Sequence, residues 1–126
     1  AVDRNFDEIL KFSATPGIET RCLELEGDDW PLAGERFAGI VVTNYLWRPR
    51  LPDVLAMLAP GGVLIYETFM QGNEAYGKPS RPDFLLAPGE LRSVAQAAGL
   101  RLVDFVEGYV DAPKPAMRQA VCAVRD

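Results

Sequence analysis

The sequence contains no histidine, and this absence excludes two large classes of active site. A Ser-His-Asp triad needs an imidazole to take the proton of the nucleophile. The common zinc sites use histidine together with cysteine or a carboxylate. With no histidine among its 126 residues, the chain is compatible neither with a triad hydrolase nor with a histidine-based zinc enzyme.

Cysteine, long apolar runs and basic runs are also scarce. The two cysteines, Cys22 and Cys122, each lie in an apolar strand-like run, which predicts reduced core thiols. No apolar stretch approaches the roughly 18 residues of a membrane span, so we expect a cytoplasmic protein. A net charge of −5 without a basic run disfavours generic nucleic-acid binding, although a nucleic-acid substrate held by another domain stays open.

What is present is the composition of a packed domain. Hydrophobic residues make up 48% and charged residues 25% of the chain, close to globular averages. A single domain over residues 1–126 is expected, and this length can bury roughly two-thirds of the unfolded surface.

Strand and helix patterns alternate along the chain. Residues 37–42 are apolar without alternation, which is typical of a strand covered on both faces. Leu51, Val54, Leu55 and Leu58 have helical spacing, and Pro60-Gly61-Gly62 should end that helix before a second buried strand at 63–68. Strand, helix and strand in this order predict a right-handed parallel crossover.

The C-terminal half predicts a loop, a helix and two strands. Residues 70–88 lack periodicity, and a loop of that length is usually functional or disordered. A helix is expected over 90–98, with Gly99 past its end. Strands at 100–106 and 120–124 are joined by a short connection without a helix, so they should be antiparallel.

The N-terminus reads as the end of a buried strand. Asp3, followed by Arg4, sits where α/β folds hold the hydroxyls of a nucleotide ribose; a frayed terminal acid or a helix-entry charge explains it equally well. Asn5 and Glu8 form a capping-box pattern for a following helix. The chain does not begin with Met, so we expect the larger part of a nucleotide-cofactor domain without its first strand and glycine-rich turn.

A second acidic group ends the next predicted strand, at residues 20–25. A carboxylate of Glu24 or Glu26 can accept from a purine amine, while the Leu25 N–H donates to a ring nitrogen. Two solvated acids before a turn are the simpler interpretation of the same residues.

Residues 43–48 lie where the first buried strand gives way to a helix, and ligands bind at the carboxyl ends of parallel strands. Asn44 and the aromatic residues Tyr45 and Trp47 therefore either line a pocket or cover the sheet edge. Tyr66 and Glu67 lie near the end of the next strand and would face the same pocket. Tyr66 lies in an apolar run, so it could instead belong to the core. The loop of residues 70–88 contains a mixture of polar and aromatic side chains: Asn73, Tyr76, Arg81, Asp83 and Phe84. Such a mixture suits a substrate lid, and a mobile surface loop is the alternative.

Taken in order, these motifs resemble a class I S-adenosylmethionine-dependent methyltransferase. The resemblance rests on Asp3 after one strand, Glu24-Leu25-Glu26 after the next, the segment Val41–Leu46 and the step LAPGGVL at 58–64. It implies a Rossmann-like α/β fold: a mostly parallel sheet, helices on both faces, a C-terminal antiparallel strand pair and the spatial strand order 3-2-1-4-5-7-6.

The resemblance also implies a cofactor site for S-adenosylmethionine and no metal. Asp3 matches the acid that binds the ribose hydroxyls, with Arg4 beside it. Glu24 matches the acid near the adenine amine, with Leu25 against the ring and Glu26 next to them. Asn44, Tyr45 and Leu46 match the segment that lines the methionine end. The catalytic residue and the methyl acceptor stay open, with Glu67 as a candidate base.

Two other classes of function are compatible with the sequence. A non-catalytic assembly module would associate through the exposed sheet edge near Ile40, for example as a homodimer. A dinucleotide-dependent oxidoreductase also places an acid after its second strand, but it leaves Pro60-Gly61-Gly62 and the closing strand pair unexplained.

Overall fold

A computed structural model describes residues 36–126 and the backbone of two short earlier strands, β1 (Val2–Asp3) and β2 (Arg21–Cys22). The chain divides into two compact units, Ala1–Ala33 and Gly34–Asp126. In the first unit, β1 and β2 are parallel, with Asp3 opposite Cys22. The predicted helix from Asn5 lies outside the described residues.

The second unit contains a four-stranded sheet, two α-helices and three short 3-10 turns. The strands are β3 (Phe37–Thr43), β4 (Leu58–Phe69), β5 (Arg101–Val110) and β6 (Ala116–Val124). The helices are α1 (Leu51–Ala56) and α2 (Glu90–Ala97). The 3-10 turns are Arg48–Arg50, Asn73–Ala75 and Pro82–Phe84.

The sheet has the order β3-β4-β6-β5. β3 is parallel to β4, whereas β6 is antiparallel to both of its neighbours, β4 and β5. The predicted fold class is confirmed: a mixed α/β sheet that closes with an antiparallel pair. The order equals the 4-5-7-6 part of the sheet that the family resemblance implies.

The two helices cover one face of this sheet. On β4, Leu64, Tyr66 and Thr68 point to the covered face and are at most 2% exposed. α1 and α2 bury their own apolar stripes there, and the apolar burial stabilises the unit by about 25 cal/mol per Å². On the opposite face Val41 is 69% exposed and Ile65 is 45% exposed.

The boundary between α1 and β4 differs from the sequence prediction. The helix ends at Ala56, and Leu58 is already the first residue of β4. The Phe37 N–H donates to Met57 O at 2.7 Å, which draws the chain into the sheet before Pro60. Residues 60–62 therefore bulge out of β4, because Phe37 pairs with Leu58 while Gly39 pairs with Val63.

The end of α2 follows the prediction closely. Gly99 has a φ of 79°, and its N–H donates to Gln96 O, while the Leu100 N–H donates to Ala95 O. These two bonds form a Schellman motif, which favours glycine at this position. β5 and β6 are longer than predicted, and their antiparallel pairing is confirmed.

Candidate functional site

The carboxyl ends of three strands lie at the same edge of the sheet. β3 and β4 are parallel, and β5 runs in the same direction because both β4 and β5 are antiparallel to β6. Thr43, Phe69 and Val110 end these strands. Ligands of open α/β sheets bind at such an edge, which we call the carboxyl rim.

Asn44 is the first residue beyond β3 at this rim. Its φ of 56° lies in the left-handed region, which asparagine tolerates better than most residues. The turn brings its N–H to Glu67 O at 3.0 Å. The exposed Asn44 side chain accepts a hydrogen bond from Arg118 Nη2 at 2.6 Å.

Arg118 joins the two strand ends from β6. Its Nε donates to Glu67 Oε1 at 2.7 Å, with side-chain exposures of 16% for Arg118 and 44% for Glu67. Its guanidinium also lies over the ring of Phe69, 4.5 Å from the centroid, a favourable cation–π geometry. Asn44, Glu67, Phe69 and Arg118 thus form one cluster, which we call the rim cluster.

A hydrogen bond from the buried Tyr66 side chain fixes the segment after Asn44. Its side chain is 0% exposed, and its hydroxyl donates to Tyr45 O at 2.6 Å. Burial raises the pKa of Tyr66 above its ordinary value, so the phenol stays neutral. Of the two alternatives for Tyr66, the core position is correct. Leu46 is also buried, at 5% exposure, while Tyr45 and Trp47 are half-buried.

Arg48 ties the loop of residues 70–88 to the segment after β3. Its guanidinium forms a two-bond fork with the carboxylate of Glu90, both bonds 2.8 Å long. It also donates to Leu85 O at 2.8 Å and to Asp83 O at 3.0 Å. Charge-assisted bidentate pairs of this kind are among the stronger hydrogen bonds in proteins.

Asn73 holds the other half of the loop. It is 2% exposed, donates to Pro79 O at 3.0 Å and accepts from the Met117 N–H at 3.1 Å. Its role is therefore to fix the loop against β6. Tyr76 is 48% exposed and contacts Tyr109 with ring centroids 5.3 Å apart. Arg81 and Asp83 are exposed, and Phe84 is half-buried.

The Arg48–Glu90 fork predicts a dependence of stability on pH. The hydrogen bond from Arg48 is the main cause that lowers the pKa of Glu90. A carboxyl with a lowered folded-state pKa stabilises the fold above its unfolded pKa, about 4.3, and this contribution disappears as the pH falls through the folded value. Glu90→Gln should therefore cost about 1 kcal/mol at pH 7, since Arg48 is 38% exposed and partly screened.

Urea unfolding of both proteins between pH 7 and pH 3 measures this effect. The difference in the free energy of unfolding between wild type and Glu90→Gln should disappear as the pH falls below about 4. Asp126→Asn is the control, because the Arg101–Asp126 pair has side-chain exposures of 60% and 68% and should contribute almost nothing. A gap that stays constant with pH would contradict the role given to the fork.

The structure describes only some of the predicted site residues. Asp3 is the last residue of β1, but its side chain lies outside the described part, as do Arg4, Glu24, Leu25 and Glu26. Their predicted roles stay predictions. Asn44 and Glu67 are brought together, and Arg118 and Phe69 join them.

Sequence reasoning missed Arg118 and Phe69. Their signal was the register of the last strand: Arg118 pairs with Phe69, so a charged side chain falls beside the end of a buried strand. The predicted strand at 120–124 began too late to include this position.

Neither a metal site nor a membrane span is found in the described part. Among residues 36–126, no group of three or more His, Cys, Asp or Glu side chains could hold a metal ion. None of the helices there combines the length and apolarity that a membrane crossing requires. Cys122 is a half-buried free thiol, while the side chain of Cys22 is not described.

Comparison with solved structures shows the fold. TehB from Haemophilus influenzae superposes with a TM-score of 0.74 at 16% identity, over 99% of this chain and 49% of TehB. An SAM-dependent methyltransferase from Methanosarcina mazei gives 0.64 at 11% identity, over 98% of this chain and 80% of that protein. The [4+2]-cyclase SpnF gives 0.61 at 14% identity, over 94% of this chain and 60% of SpnF.

The chain therefore has the fold of these proteins and spans about half the length of TehB. The presence of a cyclase among them means that the fold alone does not decide the reaction. No protein-family model matches the sequence. No curated protein matches it either.

Proposed function

We propose that the protein is an S-adenosylmethionine-dependent methyltransferase. The observation that carries the proposal is the rim cluster: the polar side chains of Asn44, Glu67 and Arg118 meet where the sheet of this fold binds ligands. The likeness to the Methanosarcina mazei methyltransferase supports the same reaction class.

The described residues fit the methionine end of such a cofactor. An α-amino carboxylate needs hydrogen-bond donors and acceptors, and the amide of Asn44 is exposed at the rim. The half-buried rings of Tyr45 and Trp47 lie in the same segment, and aromatic faces stabilise a nearby cation by about 0.5–2 kcal/mol. Asp3 with Arg4, and Glu24, Leu25 and Glu26, are proposed for the ribose and adenine.

The cofactor, when bound, supplies a sulfonium whose methyl group is already electrophilic. What this chain contributes is orientation. The hydrogen bond from Tyr66 to Tyr45 O fixes the backbone of the segment after β3, and Arg48 holds the loop of residues 70–88 beside it. Holding two reactants in line can supply about 7–11 kcal/mol of the barrier reduction.

Calorimetric titration with S-adenosylhomocysteine tests the proposal. We expect saturable binding that excess NAD does not displace, and an affinity about tenfold weaker in Asp3→Asn because a carboxylate hydrogen bond to a hydroxyl is lost. Asp126→Asn, in an exposed pair, is the control and should bind as wild type does. Absence of binding, or its displacement by NAD, would overturn the proposal.

A non-catalytic assembly module is the second candidate. Among the described strands, β3 lies at one end of the four-stranded sheet, and Val41 on it is 69% exposed. Outer strands with apolar exposure recruit partners, and a homodimer is the simplest product. Light scattering separates this candidate from the first, since a strictly monomeric species in solution counts against edge-driven association.

A further inference from the structure

We infer that the methyl acceptor is a hydroxyl oxygen, whose proton Glu67 takes while Arg118 holds the developing oxyanion. The inference rests on the proposed function and adds to it the acceptor atom and the residues that act on it. It follows from those atoms of the rim cluster that make no hydrogen bond within residues 36–126.

The rim cluster places a hydrogen-bond donor group of Arg118 beside an acceptor atom of Glu67, and both are available to a ligand as far as residues 36–126 are concerned. Within residues 36–126, Oε2 of Glu67 accepts no hydrogen bond, and Nη1 of Arg118 donates none. The bonds that do form use Oε1 of Glu67 and the Nε and Nη2 atoms of Arg118. Because Nε of Arg118 lies 2.7 Å from Glu67 Oε1, one small group can reach both residues.

Both groups are held rigidly, which is what catalysis by positioning requires. Arg118 is fixed by Glu67, by Asn44 and by the ring of Phe69 under its guanidinium. The side chain of Glu67 is still 44% exposed, so a ligand can approach its Oε2 atom.

A hydroxyl acceptor matches this pair of groups. Its O–H bond breaks and the proton goes to Glu67, while the oxygen forms the new bond to the methyl group. The S–CH₃ bond breaks, and its electron pair stays on sulfur as a neutral thioether. The products are a methyl ether, S-adenosylhomocysteine and protonated Glu67, so atoms and charge balance. The N–H donors of Arg118 face the charge that develops on oxygen.

Other acceptor atoms match less well. An amine gains positive charge as it attacks, so no negative charge develops that the N–H donors of Arg118 could stabilise. A carboxylate carries its own negative charge and is repelled by Glu67. A hydroxyl is neutral at the start and becomes anionic only during the reaction, so it makes use of both residues.

Three single-ring probes of similar size test the acceptor atom: phenol, benzoate and aniline, which is a neutral amine at pH 7. Formation of S-adenosylhomocysteine from saturating S-adenosylmethionine is followed with each probe. We expect the fastest formation with phenol. If phenol is no faster than benzoate or aniline, the inference is wrong.

Two variants test the residues. Glu67→Gln keeps an acceptor for Arg118 but removes the base, and kcat with phenol should fall about 100-fold with an unchanged KM for S-adenosylmethionine. Raising the pH from 7 to 10 should restore the rate of this variant, because phenol then ionises in solution. Arg118→Lys keeps the charge but has one nitrogen in place of three, so it cannot bond Glu67 and Asn44 and also hold the oxyanion, and kcat should fall about 10- to 100-fold.

The controls separate this inference from the proposed function. Arg101→Lys, in an exposed ion pair, should leave kcat unchanged. Each variant is first titrated with S-adenosylhomocysteine, which also reports folding. If the wild type does not bind it, the proposed function fails. If binding is normal but Glu67→Gln retains full kcat, or gains nothing at high pH, only the inference about the acceptor fails.

Discussion

Replacing Gly62 with alanine should destabilise the protein by about 1–3 kcal/mol, the usual cost of overpacking a well-packed site. A Cβ at this position would lie 2.7 Å from Ala59 O, 2.8 Å from Leu58 Cδ1 and 3.1 Å from Ala38 O. Two of these neighbours are backbone carbonyls, Ala59 O of β4 and Ala38 O of β3, so they cannot move without disturbing the pairing of β3 with β4.

Gly39 provides a matched control on the neighbouring strand. It pairs with Val63, next to Gly62, and a Cβ there would meet no atom within 4 Å. Gly39→Ala should therefore be neutral or stabilise by up to about 1 kcal/mol, because the unfolded chain loses freedom.

Thermal unfolding of both variants measures the difference. For a domain of this size, 1 kcal/mol corresponds to a change in Tm of about 4 °C. Gly62→Ala should melt about 4–12 °C below wild type, while Gly39→Ala stays close to it. Equal melting temperatures for the two variants would show that the bulge is not rigid.

Replacing Gln119 with glutamate should have the largest effect, about 3–5 kcal/mol at neutral pH, which is typical of an uncompensated buried charge. Gln119 is 0% exposed. Its Oε1 accepts from the Leu91 N–H at 2.7 Å, and its Nε2 donates to Ala87 O at 3.0 Å and to Glu107 Oε2 at 2.9 Å. The amide thus caps the start of α2 from β6.

A carboxylate in this place would keep the bond to Leu91 but would face Ala87 O and the carboxylate of Glu107 without a donor. Burial and Glu107 would raise the pKa of the introduced group. The folded state then favours the protonated form of the introduced carboxyl group. The loss of stability should therefore be full at pH 7 and should shrink as the pH falls toward about 4.

Urea unfolding at pH 7 and at pH 4.5 measures this recovery. Gln71→Glu is the matched control, since Gln71 is exposed and its substitution should change stability by less than about 0.5 kcal/mol. If Gln119→Glu is as stable as wild type at pH 7, Gln119 does not cap α2 in solution.

The parts of the fold that the sequence predicted well are those with strong local signals. Residues 37–42 have no polar position, and Gly99 marks a helix end with a conformation that other residues avoid. The antiparallel pairing of β5 and β6 followed from the short connection between them. In each case one stretch of chain contains the whole physical reason.

The missed parts depend on partners distant in the sequence. Pro60-Gly61-Gly62 predicts the end of a helix, yet its position is set by the bond from Phe37 to Met57. Gln119 looks like a surface residue until α2 packs over it. Arg118 acquires a role only when β6 lies between β4 and β5, because only then does it reach Asn44, 74 positions away.

The order of the strands has a consequence for how the protein is made. β6 leaves the ribosome after β5, yet it lies between β5 and β4. While β6 is still inside the exit tunnel, β4 has only β3 beside it, and β5 has no neighbour. Such contacts between distant segments form slowly and leave nascent chains prone to aggregation. The pairing of β4 with β6 therefore waits until Ala116–Val124 has been synthesised.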